Sequence, residues 1–330
     1  MNVVKGYLHT MKAVKGWDLR EFHDRHRQLY RQARSNGDHG QVTRFYYSLM
    51  AGVIEGACGT CWHFCPPRAG ESREEAIRNM HQLLCRLLGH GPGRHVLEIG
   101  CGIGGTMRSI ALHTGGHVAG VTIGHEEIRR ANELIRQARL EALCIAVEGD
   151  CQVLPFPDRS FDGAYAIYAL KYLAHIEKTL SEAFRVLRPG APLVVYDIHR
   201  TERFNPSNAG HVRWMTALEY ATGMPPLLTA GALADAARQV GFDCETRMDI
   251  SQEYPWYHDF VVNPVNAWLV TSPGIRRLVG VLEAVRFLPA GFRRFNDTFL
   301  AGTVAALIAM GRLGILTGSS VVVLRKPRGH

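Results

Sequence analysis

Residues 95–105, His-Val-Leu-Glu-Ile-Gly-Cys-Gly-Ile-Gly-Gly, carry the densest chemical signal in this 330-residue chain. An apolar run leads into Glu98 and then into a turn built from Gly100, Gly102, Gly104 and Gly105. Glycines let the backbone turn tightly and let a ligand approach the main chain closely. A helix opening at Thr106 would aim its N-terminus at that ligand. The run satisfies the dinucleotide pattern G-x-G-x-x-G, which is weak evidence alone. A dinucleotide fold also needs an acid at the end of the second strand to hold a ribose. Here that strand, Val118-Ala119-Gly120-Val121-Thr122, ends without one, and Glu126 and Glu127 fall in the following helix. The acid instead precedes the glycines, which argues against a nicotinamide-dependent oxidoreductase. A second group, Cys58, Cys61 and Cys65 with His63 among them, has the residue types of a tetrahedral metal site. Four ligands within eight residues are crowded, and no second cysteine pair lies nearby. No thioredoxin-like strand precedes the pair either, so these read as reduced cysteines lining a pocket, and no metal is expected.

These residues need a scaffold, and the pattern supplies one. Residues 1–44 are amphipathic, with Trp17, Leu19, Phe22, His26 and Leu29 at helical spacing, while 45–70 read as irregular. Ser72 and Glu75 stand in capping-box register for a helix over 72–89. Strands are expected at 95–99, 117–122, 142–148, 161–167 and 193–197, alternating with helices at 106–114, 125–140 and 176–187. Such alternation implies a parallel sheet covered on both faces. A helix at 229–240 precedes a sixth strand at 242–250, and the β-branched run 320–324 makes a seventh. Residues 252–318 then form a helical insertion, clearest at 279–287 and 299–313. The expected fold is α/β and Rossmann-like, with a seven-stranded, mostly parallel sheet. An N-terminal helical cap over 1–75, a core over 76–251 and a C-terminal module over 252–330 make up the layout.

Composition narrows the class. No run of about 18 uncharged apolar residues is present, so no spanning helix is expected, and no apolar signal core opens the chain. A net charge of +8 is spread along the sequence, with one cluster at Arg286, Arg293 and Arg294. Basic and aromatic residues are not interleaved as nucleic-acid binding would require. A plain solvated surface is the leading reading of this charge, and attraction to an anionic membrane surface is the alternative. The expected location is cytoplasmic or peripheral on a membrane such as the endoplasmic reticulum, and not secreted.

The placement of Glu98 ahead of the glycines resembles class I S-adenosylmethionine (SAM) methyltransferases. That resemblance implies SAM as cofactor, held by Glu98, Gly100, Gly102 and Gly104. Thr122 and Ile123 would touch ribose and adenine, and Asp150 and Cys151, after the third strand, would read the adenine. Ile167, ending the fourth strand, closes the set. From about residue 40 to 327 the chain resembles sterol C-methyltransferases of the type that alkylate carbon 24. Tyr46-Tyr47, Glu55, Gly59 and His63-Phe64 match that family's N-terminal aromatic segment. Pro255-Trp256-Tyr257, Ser272-Pro273, Leu282-Glu283, Gly311-Arg312 and Lys326-Pro327 match its later motifs. The resemblance implies a sterol or related triterpenoid substrate touched by Tyr47, Glu55, His63, Phe64, Trp256 and Tyr257. Membrane contact and a homo-oligomer are further expectations.

The chain departs from the family after the fourth strand. There the family has a Glu and, four residues later, a His; this chain has Tyr168 and Tyr172. Aromatic faces stabilise a carbocation, and a phenol moves protons when its pKa is lowered. Tyr168, Tyr172 and Asp197 are the expected reacting groups, with His199 beside them. The leading expectation is C-methylation of the sterol 24 type. The alternatives are a sterol 4-methyltransferase acting beside a 3-oxo or enol group, and a sterol-binding protein that has lost its chemistry.

Overall fold

A computed structural model describes residues 3–251, 255, 257, 268 and 272–329. Seven strands form one sheet: β1 (His95–Ile99), β2 (His117–Thr122), β3 (Cys144–Glu148), β4 (Gly163–Ile167), β5 (Pro192–Arg200), β6 (Asp243–Asp249) and β7 (Leu316–Arg325), in the order β3-β2-β1-β4-β5-β7-β6. The first five are parallel, and β7 runs antiparallel between β5 and β6. Strands β1, β4 and β5 are buried along nearly their whole length, which explains their largely apolar sequence, interrupted at Glu98, Asp197 and His199. Helices α4 (Arg73–Leu88), α5 (Gly105–Thr114) and α6 (His125–Gln137) cover one face, through Leu84, Ile110 and Ile135 among others. Helices α7 (Ile176–Val186) and α9 (Ala230–Val240) cover the other, through Leu180, Ala183, Leu233 and Ala237. The strand order reverses between β1 and β4, and ligands of open α/β sheets bind at the carboxyl edge of such a point.

The cap departs from expectation in one place. Helix α1 (Val3–Ala13) and α2 (Leu19–Asn36) are followed by α3 (Gly40–Cys58), which runs through residues read as irregular. The glycines that suggested a loop are crossing points: a Cβ on Gly56 would stand 2.4 Å from the His9 Cβ of α1. Interior glycine costs a helix roughly 1 kcal/mol, and here close helix–helix approach offsets it. Helix α4 carries the expected capping box, with Ser72 and Glu75 bonded reciprocally. Helix α8 (Ala209–Thr222), between β5 and α9, was not expected.

The C-terminal insertion folds back on the cap. Helix Pro273–Ala284, the short helix Phe292–Phe295, a π turn at Asn296–Leu300 and helix Ala301–Leu313 lead into β7. Val279, Phe292, Phe295 and Phe299 share one core with Phe22, Tyr46, Leu49 and Val53. Phe22 is its centre, with Phe45 stacked at 4.9 Å and Phe295 and Phe299 edge-on at 5.9 and 5.3 Å. Helix Ala301–Leu313 also packs through Ala306 and Met310 on Met215 and Leu218 of α8, at the carboxyl edge of the sheet. No helix of the described residues is long and apolar enough to cross a membrane. Phe22→Ala is expected to cost about 3–5 kcal/mol, read as a lowered midpoint in denaturant. Phe287→Ala, at an exposed position, is expected to change stability by about 0.5 kcal/mol or less.

Candidate active site

A cavity of about 650 Å³ opens above the carboxyl ends of β1, β2 and β4, where the strand order reverses. Its floor is the glycine turn. Gly100, Gly102 and Gly104 all have positive φ. A Cβ on Gly100 would stand 2.3 Å from the Ala169 Cβ, and one on Gly105 only 1.9 Å from the Thr60 carbonyl oxygen. The turn is thus clamped between the loop after β4 and the loop after α3. Gly105 and Thr106, which open α5, line the cavity. Gly104 caps α5 against Met107 and is not on the cavity wall.

Glu98 lies on the wall and is 3% exposed, accepting a hydrogen bond from the Tyr165 hydroxyl at 3.1 Å. Burial pushes its pKa up to about 8, against partial compensation from that bond. Such a carboxyl is ready to gain from a cationic ligand. Thr122, Ile123, Asp150, Cys151 and Ile167 line the cavity. The Asp150 carboxylate also accepts from the Gln152 backbone N–H at 2.8 Å, shaping the turn after β3.

The acid missing from the end of β2 is supplied from elsewhere. Glu127, on the first turn of α6, reaches back to the cavity wall and accepts from the Thr122 hydroxyl at 3.2 Å. Burial pushes its pKa up to about 7. The signal for it was present in Gly124, where a Cβ would stand 2.0 Å from the Glu127 Oε2. Only a residue without a side chain lets the acid fold back over the strand end.

The opposite wall is aromatic. Tyr47 of α3 and Tyr172, after β4, join hydroxyl to hydroxyl at 2.7 Å. Tyr47 also stacks on Trp62 at 6.0 Å. Burial holds both phenols well above their ordinary pKa, so each stays protonated. Tyr168 lines the cavity from a backbone φ of 53°, a left-handed conformation that is uncommon for a bulky residue and clusters at functional sites. Its hydroxyl is bonded to the Gly318 carbonyl of β7, which removes it as a free proton carrier. His63 lies between Tyr168 and His81. It is buried, and burial and the neighbouring His81 hold its pKa well below the ordinary range, so the ring is neutral. Its Nε2 has no hydrogen-bond partner among the described residues.

Four expected residues stand elsewhere. Asp197 is 1% exposed, pairs with the Lys171 ammonium at 3.3 Å and accepts from the Ile198 N–H at 2.9 Å. It faces a small adjoining pocket with His199, because Lys171 intervenes and covers the Tyr168 ring at 4.2 Å. Burial lowers Lys171 to about 8, and Asp197 opposes the shift. Glu55 is drawn away by Arg130 of α6, at 2.6 Å, and ties the cap to the core. Phe64 packs behind the wall, edge-on to Tyr168 at 5.7 Å, and its carbonyl accepts from the Tyr196 hydroxyl. Tyr257 packs against Gly311 beside the helix Ala301–Leu313. Trp256 lies outside the described residues.

Comparison with known proteins places this geometry in context. A model of the methyltransferase domain matches residues 97–195, and a model of the sterol methyltransferase C-terminal region matches residues 270–328. The chain is 38% identical to sterol 4-C-methyltransferase strm-1 of Caenorhabditis elegans, over 99% of both chains. It is 32% identical to cycloartenol-C-24-methyltransferase of Arabidopsis thaliana, over 86% of both. Among solved structures, the 4+2 cyclase SpnF superposes with a TM-score of 0.67 at 22% identity, over 88% of this chain and 97% of that one. That likeness supports the fold.

The Glu98 shift gives a pH dependence with a definite sign. Its carboxyl titrates near 4.5 when unfolded and at about 8 when folded. Between those values the folded state binds the extra proton, so this group's contribution is full at low pH and is lost as pH rises toward 8. Glu127 acts in the same direction. Denaturation of the cofactor-free protein at pH 5, 6.5 and 8 is expected to show falling stability, and Glu98→Gln to flatten the slope. An unchanged slope in that variant would remove Glu98 as its source.

Proposed function

Because the chain belongs to the sterol C-methyltransferase family, we propose that it transfers the methyl group of SAM to carbon 4 of a 3-oxo sterol. SAM is the cofactor, and the residues present suit it. In this reading Glu98 takes the amino group, and the glycine turn with the first N–H groups of α5 takes the carboxylate. Glu127 and Thr122 hold the ribose hydroxyls, and Asp150 accepts from the adenine amino group. The methyl sulfonium supplies an already activated methyl, so the protein's task is alignment and exclusion of water.

The observation that carries the carbon-4 reading is the Tyr47–Tyr172 pair at 2.7 Å. With one phenol donating to the other, the pair keeps one O–H free to donate to a ketone oxygen, a bond that strengthens as the oxygen gains charge. Bound SAM would supply the methyl group to carbon 4, which would give up a proton in exchange. His63, neutral and on the wall, is the group assigned to accept that proton. The relative from C. elegans, matched end to end, supports the same position. Carbon-24 alkylation is the second reading. The cycloartenol-C-24-methyltransferase relative and the aromatic faces of Trp62, Tyr168 and Tyr172 support it, since such faces stabilise a side-chain cation. A sterol-binding protein without chemistry is disfavoured, because it has no use for a buried acid under a glycine turn. A cytoplasmic or membrane-peripheral location, such as the endoplasmic reticulum, and a homo-oligomer complete the proposal.

Methyl-labelled SAM incubated with 3-oxo sterols bearing a free carbon 4 and with 24-ene sterols tests it, with the label located by mass spectrometry. Label on carbon 4 is expected; label only on the side chain selects the second reading. In the carbon-4 assay, Tyr172→Phe is expected to lower kcat by about 10²–10³ with cofactor affinity unchanged.

A further inference from the structure

We propose that the helix Pro273–Ala284 and the turn after it form a docking face for an anionic lipid bilayer. The inward face of this helix, Ile275, Val279 and Leu282, is committed to the core shared with the cap. Its outward face is apolar where a soluble surface would be polar. Leu278, Val281 and Val285 follow at i, i+3 and i+7, one stripe of a helix, and stand 50%, 58% and 67% exposed. Phe287 extends the stripe at 77%, the most exposed large apolar side chain among the described residues. It is set there by the backbone. Arg286 adopts a φ of 62°, a position at helix ends usually given to glycine, and the Phe287 N–H returns to the Leu282 carbonyl at 2.9 Å. Trp268 is a second exposed aromatic, at 59%.

Charge identifies the occupant. Residues 272–295 contain five arginines and one glutamate; Arg276 and Arg294 pair with Asp297 and Asp24, and Arg277, Arg286 and Arg293 have no ion pair among the described residues. That glutamate, Glu283, is turned inward onto the N–H groups of Gly291 and Arg293 at 2.8 and 2.7 Å. Arg277 and Arg286 flank the apolar stripe and are exposed. An exposed apolar stripe edged with arginine is the composition of a helix lying in the interface of an anionic membrane. A second copy of the chain is disfavoured, because a two-fold contact would place the arginines against each other. The choice of a membrane rests on the sterol reading above, since sterols reside in bilayers. The core beneath this helix also packs against Tyr47, so the docking face and the cavity lie on two sides of one helical layer.

Cosedimentation of the full chain with phosphatidylcholine vesicles, with and without phosphatidylserine, tests the proposal. The wild type is expected to sediment with the anionic vesicles and to be released by salt. Arg277→Glu with Arg286→Glu is expected to weaken binding by roughly fivefold per substitution. Val281→Asp with Phe287→Asp is expected to abolish sedimentation. Both pairs lie on the surface, and both are expected to keep the thermal midpoint and the wild-type methyl transfer to detergent-solubilised sterol. A wild type that binds neither vesicle, or variants that bind as the wild type does, overturns the proposal. So does a wild-type dimer, seen by light scattering, that the Val281→Asp/Phe287→Asp pair converts to monomer, which assigns the stripe to a second copy. Failure of the wild type to methylate any sterol in detergent would count against the sterol reading, and the vesicle result is scored separately.

Discussion

Three chain segments meet at the turn after β1 with no room for a side chain, and that close approach governs the rest of the molecule. The Thr60 carbonyl presses on Gly105 from the cap side, and Ala169 presses on Gly100 from the loop after β4. The contact fixes where the cap sits on the sheet. It also encloses Glu98, whose raised pKa follows from that enclosure more than from any neighbour. A methyl group added at either glycine would push the cap or the loop after β4 away and open the acid to water. Cavity shape and cap position are therefore coupled through van der Waals distance.

The cap is in turn held by residues far away in sequence. Phe22 meets Phe295 and Phe299, and Tyr47 belongs to the same packed layer. The Glu55–Arg130 pair ties this layer to α6, the helix that carries Glu127. The wall that carries the tyrosine pair is thus built jointly by the N-terminal helices and the C-terminal insertion. The two ends of the chain, expected as separate modules flanking the core, form one apolar unit. Burial of aromatic rings is nondirectional and strong, so it can join segments whose local sequence gives no hint of pairing.

That difference explains what the sequence made legible. The strand–acid–glycine run, the alternation of strands and helices and the strand placements were readable because they rest on local periodicity and turn chemistry. That Thr122, Ile123, Asp150 and Cys151 meet at one cavity was readable for the same reason: each lies at or just past a strand end. Glu127 was not, because its role depends on a side chain folding back over Gly124. Helix α3 was obscured by glycines whose purpose is contact with α1. Asp197 looked available at the end of a strand, but the buried Lys171 beside it claims its charge, and an ion pair is invisible until the loop after β4 is in place.

The exchange of an acid and a His for Tyr168 and Tyr172 changes what the cavity can support. A carboxylate and an imidazole beside a reacting centre suit a reaction that creates positive charge and then sheds a proton. Here the reacting side of the cavity presents Tyr47 and Tyr172, which burial keeps protonated and which are joined to each other, Tyr168 tied to a β7 carbonyl, and the neutral His63 in place of a carboxylate. The carboxyls on the wall, Glu98, Glu127 and Asp150, sit at the ends of β1, β2 and β3, on the side given to the cofactor. Lys171, buried behind the tyrosine rings, is paired with Asp197, so the two together add no net charge to this side. A phenolic donor with no free carboxylate beside it favours an intermediate with negative charge on oxygen over one with positive charge on carbon. An enolate beside a ring ketone has that charge. The electrostatics of the wall therefore agree with alkylation at carbon 4, even though its aromatic surface alone would accept either reaction.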